Sequence, residues 1–310
     1  MNPTISICIP AFKRVEYLKR LFESISIQSF RDFEVIVADD SDDDSVKDLV
    51  QSYEKNFRLR YYKNEIPLGT PANWNFAVSK ASGEWIKLMH DDDWFFSEES
   101  LDIFYKQTTH NRKFIFSAYY SVKENNSRKL HRLSPFYRKK ILESPYILFA
   151  QNVIGPPSVT LVHKSILEKY DARLKWRVDV EFYMRVLEQE KEFTYLDEPL
   201  INMGISETQV TQSAINNPKI ELPEAWILLD KYGGAQLKNI IMYDTWWRLF
   251  RNMNIRNKDL LLSYVDQEWP EIILAIIRDL GKLPPALLGI GVFSKFFMSL
   301  SYLKNRSLAD

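Results

Sequence analysis

The chain lacks several features that would otherwise assign it to a common class. Its 310 residues include one cysteine, Cys8, so no internal disulfide can form. A thiol inside Ile5-Ser6-Ile7-Cys8-Ile9 reads as a small buried hydrophobe, and a cytosolic setting is expected. Neither sign of charge is in excess, with 41 Lys plus Arg against 41 Asp plus Glu, so nothing in the composition points to a nucleic acid as main partner. No uninterrupted run of about 20 apolar residues occurs, which argues against a spanning helix. No leader-like segment precedes the first apolar stretch. Glycine is scarce, at 9 residues. Neither Gly-x-Gly-x-x-Gly after the first strand nor a Lys-Ser/Thr phosphate loop is found, which disfavours a dinucleotide dehydrogenase and an NTPase. Gly-x-Ser-x-Gly and a cysteine–histidine pairing are missing too.

What is present is a sizeable core and a strand–helix rhythm. Hydrophobic residues make up 45% of the chain, enough for one large or two modest domains. Strands are expected at 4–9, 33–38, 59–62 and 84–89, with helices at 14–28, 45–57, 70–82 and 97–108 between and after them. This alternation predicts an α/β fold, a Rossmann-like, mostly parallel sheet flanked by helices. Further on, 113–122 and 158–162 read as strands, 123–130 as an exposed turn, 164–170 as a short helix, 179–190 as an amphipathic helix and 193–196 as a short strand. From about residue 216 the pattern is helical. We therefore expect a catalytic domain over 1–215 and a helical C-terminal region over 216–310.

The acidic residues carry the chemistry. Asp91, Asp92 and Asp93 directly follow a hydrophobic strand, where an open α/β sheet binds phosphorylated ligands. Like charges this close repel, and a divalent cation such as Mn²⁺ or Mg²⁺ would relieve them with hard oxygen ligands. The plainer alternative is a solvated turn with a helix cap. His90 either joins the cluster or is structural. Asp39 and Asp40 end the second strand and either accept hydrogen bonds from a nucleotide or cap the next turn. Asp179 opens a helix and is either a dipole-stabilising residue or a general base.

In order and spacing these pieces resemble the family-2 glycosyltransferases, inverting enzymes of the GT-A type. The resemblance runs from Thr4 to about Leu200. It rests on Ile7-Cys8-Ile9-Pro10-Ala11-Phe12-Lys13-Arg14, Glu34-Val35-Ile36-Val37-Ala38-Asp39-Asp40-Ser41, Leu68-Gly69 through Asn75 to Gly83, the aspartate run, Asp179-Val180-Glu181-Phe182-Tyr183-Met184-Arg185 and Tyr195 to Leu200.

The resemblance implies a nucleotide-sugar donor, UDP being the family's commonest carrier, and a glycan or lipid-linked glycan acceptor in cell-surface polysaccharide assembly. It implies donor contacts from Pro10, Ala11, Phe12, Arg14, Asp39, Asn75, Asp91 and Asp92, and a metal on Asp92 with Asp93. It makes Asp179 the catalytic base. Trp94, Pro156, Trp176 and Arg185 are expected on the acceptor side, and the polar stretch 206–213 as a lid. Where the family often has aspartate, this chain has His90. Some relatives supply a histidine after the base, and no histidine follows Asp179 here. A non-catalytic nucleotide-sugar binding or scaffolding module is the alternative function, and a nucleotidyl or phosphoryl transferase a third.

The last third is dense in Ile272, Ile273, Leu274, Ile276 and Ile277, then Leu287, Leu288, Ile290, Val292, Phe293, Phe296 and Phe297, with lysines interspersed. This pattern suits a peripheral helix on the cytoplasmic face of an anionic membrane. It equally suits a helical subdomain packed on the catalytic domain or a homo-oligomer contact.

Overall fold

The computed structural model describes residues 2–205 and 214–309; the expected 206–213 lid lies outside the described residues. The described residues form two compact units, one within Met1–Pro145 and Asn152–Glu207, the other within Tyr146–Gln151 and Thr208–Asp310.

The first unit is built on a nine-stranded sheet. Its strands are β1 (Ile5–Ala11), β2 (Phe33–Asp39), β3 (Leu59–Lys63), β4 (Trp85–Leu88), β5 (Trp94–Phe95), β6 (Phe114–Lys123), β7 (Arg128–His131), β8 (Thr160–His163) and β9 (Thr194–Ile205). They lie in the order β3-β2-β1-β4-β8-β6-β9-β5, with β7 against β6. The helices are α1 (Val15–Ser26), α2 (Ser45–Tyr53), α3 (Ala72–Ser79), α4 (Ser100–Lys106), α5 (Pro135–Glu143), α6 (Ile147–Ala150) and α7 (Val178–Glu190), of which α6 falls in the second unit.

β1 and β2 are β-branched and almost wholly buried, as parallel strands covered on both faces must be. Their register pairs Ala11 with Asp39, and β4 lies parallel on the other side with Cys8 opposite Leu88. The C-terminal ends of β1, β2 and β4 therefore open on one edge. Helix α1 turns its apolar residues Leu18, Leu21, Phe22 and Ile25 inward.

The parallel arrangement holds for β1 to β4, and beyond β4 the sheet is mixed. β8 runs antiparallel to both β4 and β6, while β6 and β9 are parallel with a bulge near Ser117 and Ala118. Three local expectations change. The 123–130 turn is the start of a hairpin whose second strand, β7, is an exposed edge with no apolar alternation to betray it. The strand at 193–196 continues to Ile205. The helix expected at 164–170 is only a 3₁₀ turn, Lys164–Ile166. An unexpected helix, α5, starts at a Ser-Pro signal, with the Ser134 hydroxyl accepting from the Tyr137 N–H.

The second unit is helical: Pro218–Tyr232, Ile240–Asn252, Lys258–Tyr264, Glu271–Gly281, Pro285–Leu288 and Gly291–Asn305. Asn217, Asn239 and Asn257 cap three of these helices through their side-chain oxygens. The core is aromatic, with Tyr243, Trp246, Trp247 and Phe250 buried. α6 joins this unit because Phe149 stacks on Trp246 at 5.1 Å. Ile272, Ile273, Ile276 and Ile277 are buried in this core rather than presented to solvent. No helix among the described residues is long and apolar enough to cross a membrane.

Candidate active site

The acidic run forms a tight turn immediately after β4. Met89 still bonds to the Cys8 carbonyl as an extension of the sheet, and the Asp93 N–H then closes back on the His90 carbonyl at 3.2 Å. All three aspartates are buried. Such a cluster cannot stay ionised without compensation.

Part of the compensation comes from Arg14, at the start of α1. Its guanidinium donates to both carboxylate oxygens of Asp91 and, at 3.0 Å, to Asp92. Even so, burial pushes the Asp91 carboxyl up to about 7, against the pull of Arg14. Burial and the neighbouring Asp92 charge hold Asp93 well above the usual carboxylate range. The His90 imidazole is pushed down to about 4 by burial, so it is neutral at ordinary pH. This pocket is still short of positive charge.

Ligand atoms of His90, Asp92 and Asp93 all lie within 4.8 Å of one another. His90 Nε2 and Asp93 Oδ2 are buried without a hydrogen-bond partner, which is unusual for buried polar atoms. A neutral imidazole nitrogen and two carboxylates form a donor set that suits Mn²⁺ or Mg²⁺. The residues present therefore fit a divalent cation. Asp92, Asp93 and His90 make up this cluster, while Asp91 is turned to Arg14.

The neighbouring elements brace this turn. The Gly204 N–H donates to Asp93 Oδ1 at 3.1 Å, and a Cβ at Gly204 would sit 2.4 Å from the Asp92 carbonyl oxygen. Arg20 donates to that same carbonyl at 2.9 Å and lays its guanidinium over the Trp94 ring at 3.6 Å. Lys87, fully buried on β4, donates to the carbonyls of Ser158 and Thr160, while the Ser158 hydroxyl accepts from the His90 N–H.

Asp39 is buried at the end of β2. It accepts from the Ser41 N–H at 2.8 Å, the Tyr61 hydroxyl at 2.7 Å and Lys63 at 3.3 Å. Of the roughly four acceptor positions on a carboxylate, most are therefore used internally. Asp40 has a different task. It accepts from Asn64 and from the N–H groups of Leu68 and Gly69, holding that loop in place. Pro10 and Ala11 close β1, and Phe12 projects beyond them, half exposed.

Asp179 lies in the first turn of α7. Its carboxylate accepts from the Asn152 side chain at 2.7 Å and from the Val180 N–H at 2.8 Å. Burial pushes it up to about 6. Tyr119 lies on β6 and is half-buried. Its hydroxyl is pushed up to about 12 by burial and by the charges of both Asp93 and Asp179. Gly155 makes room for that ring, since a Cβ there would lie 2.6 Å from it.

Against known proteins, residues 6–171, just over half of the chain, match the family described as Glycosyl transferase family 2. The chain belongs to that family. An uncharacterized glycosyltransferase of Methanocaldococcus jannaschii is 29% identical over 226 residues, covering 71% of this chain and 77% of that protein. The GalNAc(5)-diNAcBac-PP-undecaprenol beta-1,3-glucosyltransferase of Campylobacter jejuni is 37% identical over 93 residues, 29% of this chain and 30% of its own. Among solved structures, S. aureus TarS 1–349 in complex with UDP-GlcNAc gives a TM-score of 0.62 at 17% identity, covering 99% of this chain and 90% of that one. The mannosyltransferase PcManGT of Pyrobaculum calidifontis, with GDP-Man and Mn²⁺, gives 0.59 at 11% identity, covering 99% and 87%. The fold is GT-A, and this family-2 chain is an inverting, nucleotide-sugar-transferring enzyme.

The remaining expected site residues fare unevenly. The Asn75 side chain exchanges two hydrogen bonds with the Tyr170 backbone, at 2.8 and 2.9 Å. Arg185 is likewise taken up, by Glu181, Glu168 and the Lys169 carbonyl. Pro156 precedes the 3₁₀ turn Pro157–Val159. One face of Trp94 is covered by Arg20, and Arg177 lies 4.6 Å over the Trp176 ring. Sequence reasoning missed Asn152, Tyr119, Lys87 and Gly204. Only the small, punctuating Gly204 at the end of β9 gave a readable signal.

Proposed function

We propose that this enzyme transfers a sugar from a nucleoside-diphosphate donor to a hydroxyl of a glycan or lipid-linked glycan, in a divalent-cation-dependent reaction. The observation that carries it is the His90–Asp92–Asp93 cluster with two buried, unpartnered ligand atoms. UDP is the first carrier to test, because TarS, of the same fold, is described with UDP-GlcNAc; PcManGT, described with GDP-Man, makes GDP the second. A lipid-linked acceptor is suggested by the C. jejuni relative, whose name places its acceptor on undecaprenol diphosphate.

His90, Asp92 and Asp93 would hold Mn²⁺ or Mg²⁺. When bound, the ion offsets charge on the donor's diphosphate as a Lewis acid. Arg14 keeps Asp91 and Asp92 oriented beside it. The loop Pro10, Ala11 and Phe12 and the carboxylate of Asp39 face the nucleoside. Asp179, held by Asn152, takes the proton from the acceptor hydroxyl. That oxygen attacks the anomeric carbon as the bond to the diphosphate breaks, and the diphosphate leaves from the opposite face with the bonding electrons. Inversion follows from this single displacement. A general base works best with a pKa near the working pH, and burial has moved Asp179 in that direction.

Residues 1–215 would carry this chemistry, with the helical region 216–310 attached to it. The test is a panel of UDP- and GDP-sugars, with Mn²⁺, with Mg²⁺ and with chelator, read as donor hydrolysis and thermal shift. We expect turnover that chelation abolishes, and that Asp92→Ala loses while still binding nucleotide. Full turnover in chelator would remove the cation from the reaction, and no response to any donor would overturn the donor class.

A further inference from the structure

We infer that the outer face of helix Gly291–Asn305 docks on the surface of an anionic lipid bilayer. This concerns the second unit alone and stands apart from the transfer reaction.

The helix is amphipathic in an inverted sense. Ser294, Met298, Ser301 and Asn305 face inward and are buried, and three of them are polar-bonded into the unit: Ser294 to Trp247 and Arg251, Ser301 to Tyr243 and Asp279, Asn305 to Asp279. The side away from that core carries Val292, Phe293, Phe296, Leu300 and Leu303. These are 79%, 46%, 57%, 49% and 62% exposed. At 100° per residue these five fall within an arc of about 100°, centred opposite the buried side. A soluble helix has the reverse pattern, and a contiguous exposed apolar patch of this kind marks a contact surface.

Charge decides what it contacts. No Asp or Glu occurs from residue 280 to 309, whereas Lys282, Lys295, Lys304 and Arg306 all lie there. Lys304 borders the apolar arc on one side, and Lys295 and Arg306 lie towards the other. The lysine ammonium groups pair within the unit, Lys282 and Lys304 on Asp279 and Lys295 on Asp244, which Arg248 shares, so cations outnumber the acids that meet them; Lys295 and Lys304 remain 64% and 58% exposed. A second copy packed face to face would set this excess of cations against its own equivalent. An anionic headgroup layer supplies that missing charge, and the acyl boundary takes the phenylalanines and leucines. The buried isoleucines of Glu271–Gly281 act as the internal support for this face.

The experiment is co-sedimentation of the full chain with vesicles of pure phosphatidylcholine and of equal parts phosphatidylcholine and phosphatidylglycerol, at low and high salt. We expect binding to the anionic vesicles that high salt weakens, little binding to the neutral ones, and a loss of at least about tenfold in Phe296→Glu/Leu303→Glu. If the glutamates disturb the fold by circular dichroism, the pair Phe296→Ser/Leu303→Ser keeps the test open. Equal binding by a folded variant, or no binding by the native chain at low salt, overturns the inference. So does a dimer in light scattering that the same substitutions dissolve, which would give the face to a second copy.

Discussion

The two units break the usual burial rule in opposite directions. The first buries charge: Asp91, Asp92, Asp93 and Lys87 all lie out of solvent. The second exposes large apolar side chains along one helix while burying serines and an asparagine under it. Buried polar and exposed apolar groups are the informative departures in a folded chain, because each costs stability unless something outside the fold compensates. In the first unit Arg14 compensates in part, and two ligand atoms remain unpartnered. In the second the compensation must come wholly from a contact. The candidate cation cluster and the exposed apolar face therefore lie in separate units.

If the buried carboxylates serve chemistry rather than architecture, removing one should cost turnover far more than it costs folding. Asp179→Asn keeps the shape and the Asn152 contact but cannot take a proton. We expect kcat to fall by roughly 10²–10⁴-fold, the range for loss of a general base, with nucleotide affinity unchanged by calorimetry. In the native enzyme kcat/KM should rise with pH up to about 6 and level off above it, as Asp179 ionises. Normal turnover in the variant sinks its assignment as base.

Gly204→Ala tests whether the acidic turn depends on its bracing. The added methyl meets the Asp92 backbone oxygen at 2.4 Å, and backbone cannot swing aside as a side chain can. Overpacking of this kind costs about 1–3 kcal/mol. We expect a melting temperature lower by a few degrees and a weaker dependence on added Mn²⁺. An unchanged melt would show that β9 gives way freely.

The first half of the fold was legible because its signals are local. β1, β2 and β4 are short apolar runs each ending in polar residues, and their order with the helices between them fixes a parallel sheet. The acidic run was visible for the same reason. What was not legible is long-range. Arg14 reaches Asp91 across 77 residues, and the side chain assigned to the donor is partly spent neutralising the turn. Asn152 reaches Asp179 across 27 residues from an ordinary loop. Asn75 matched a motif by position, yet its amide holds the Tyr170 backbone. β7 is an exposed edge strand whose residues, Arg128 to His131, have no buried face to impose a period of two. The sequence leaves the isoleucines of Glu271–Gly281 open between a packed subdomain and a membrane-lying helix, because sequence density cannot tell the two apart.

The same Asp179 substitution should act on stability with the opposite sign. The folded state holds this carboxyl up to about 6, above its ordinary 3.8. The fold thus prefers the protonated form: full stability is present below about pH 4 and is lost as pH rises through 6. Asparagine has no charge to bury. Asp179→Asn should therefore be more stable than the native chain at pH 8, by on the order of 1–2 kcal/mol given partial exposure of the site, and the gain should vanish near pH 4. Denaturant titrations at the two pH values measure it. A gain that does not change with pH would trace to local repacking instead of to the charge.

The smallest effect belongs to the other unit. Phe296→Ser removes a ring that is 57% exposed and meets the Phe297 ring edge-on at 5.5 Å. Surface substitutions of this kind change stability by about 0.5 kcal/mol or less, so the melt in lipid-free buffer should barely move. A loss of several degrees would mean that the ring already packs against this chain in solution, and the contrast between a unit that buries charge and a unit that offers an apolar face would fail at its second half.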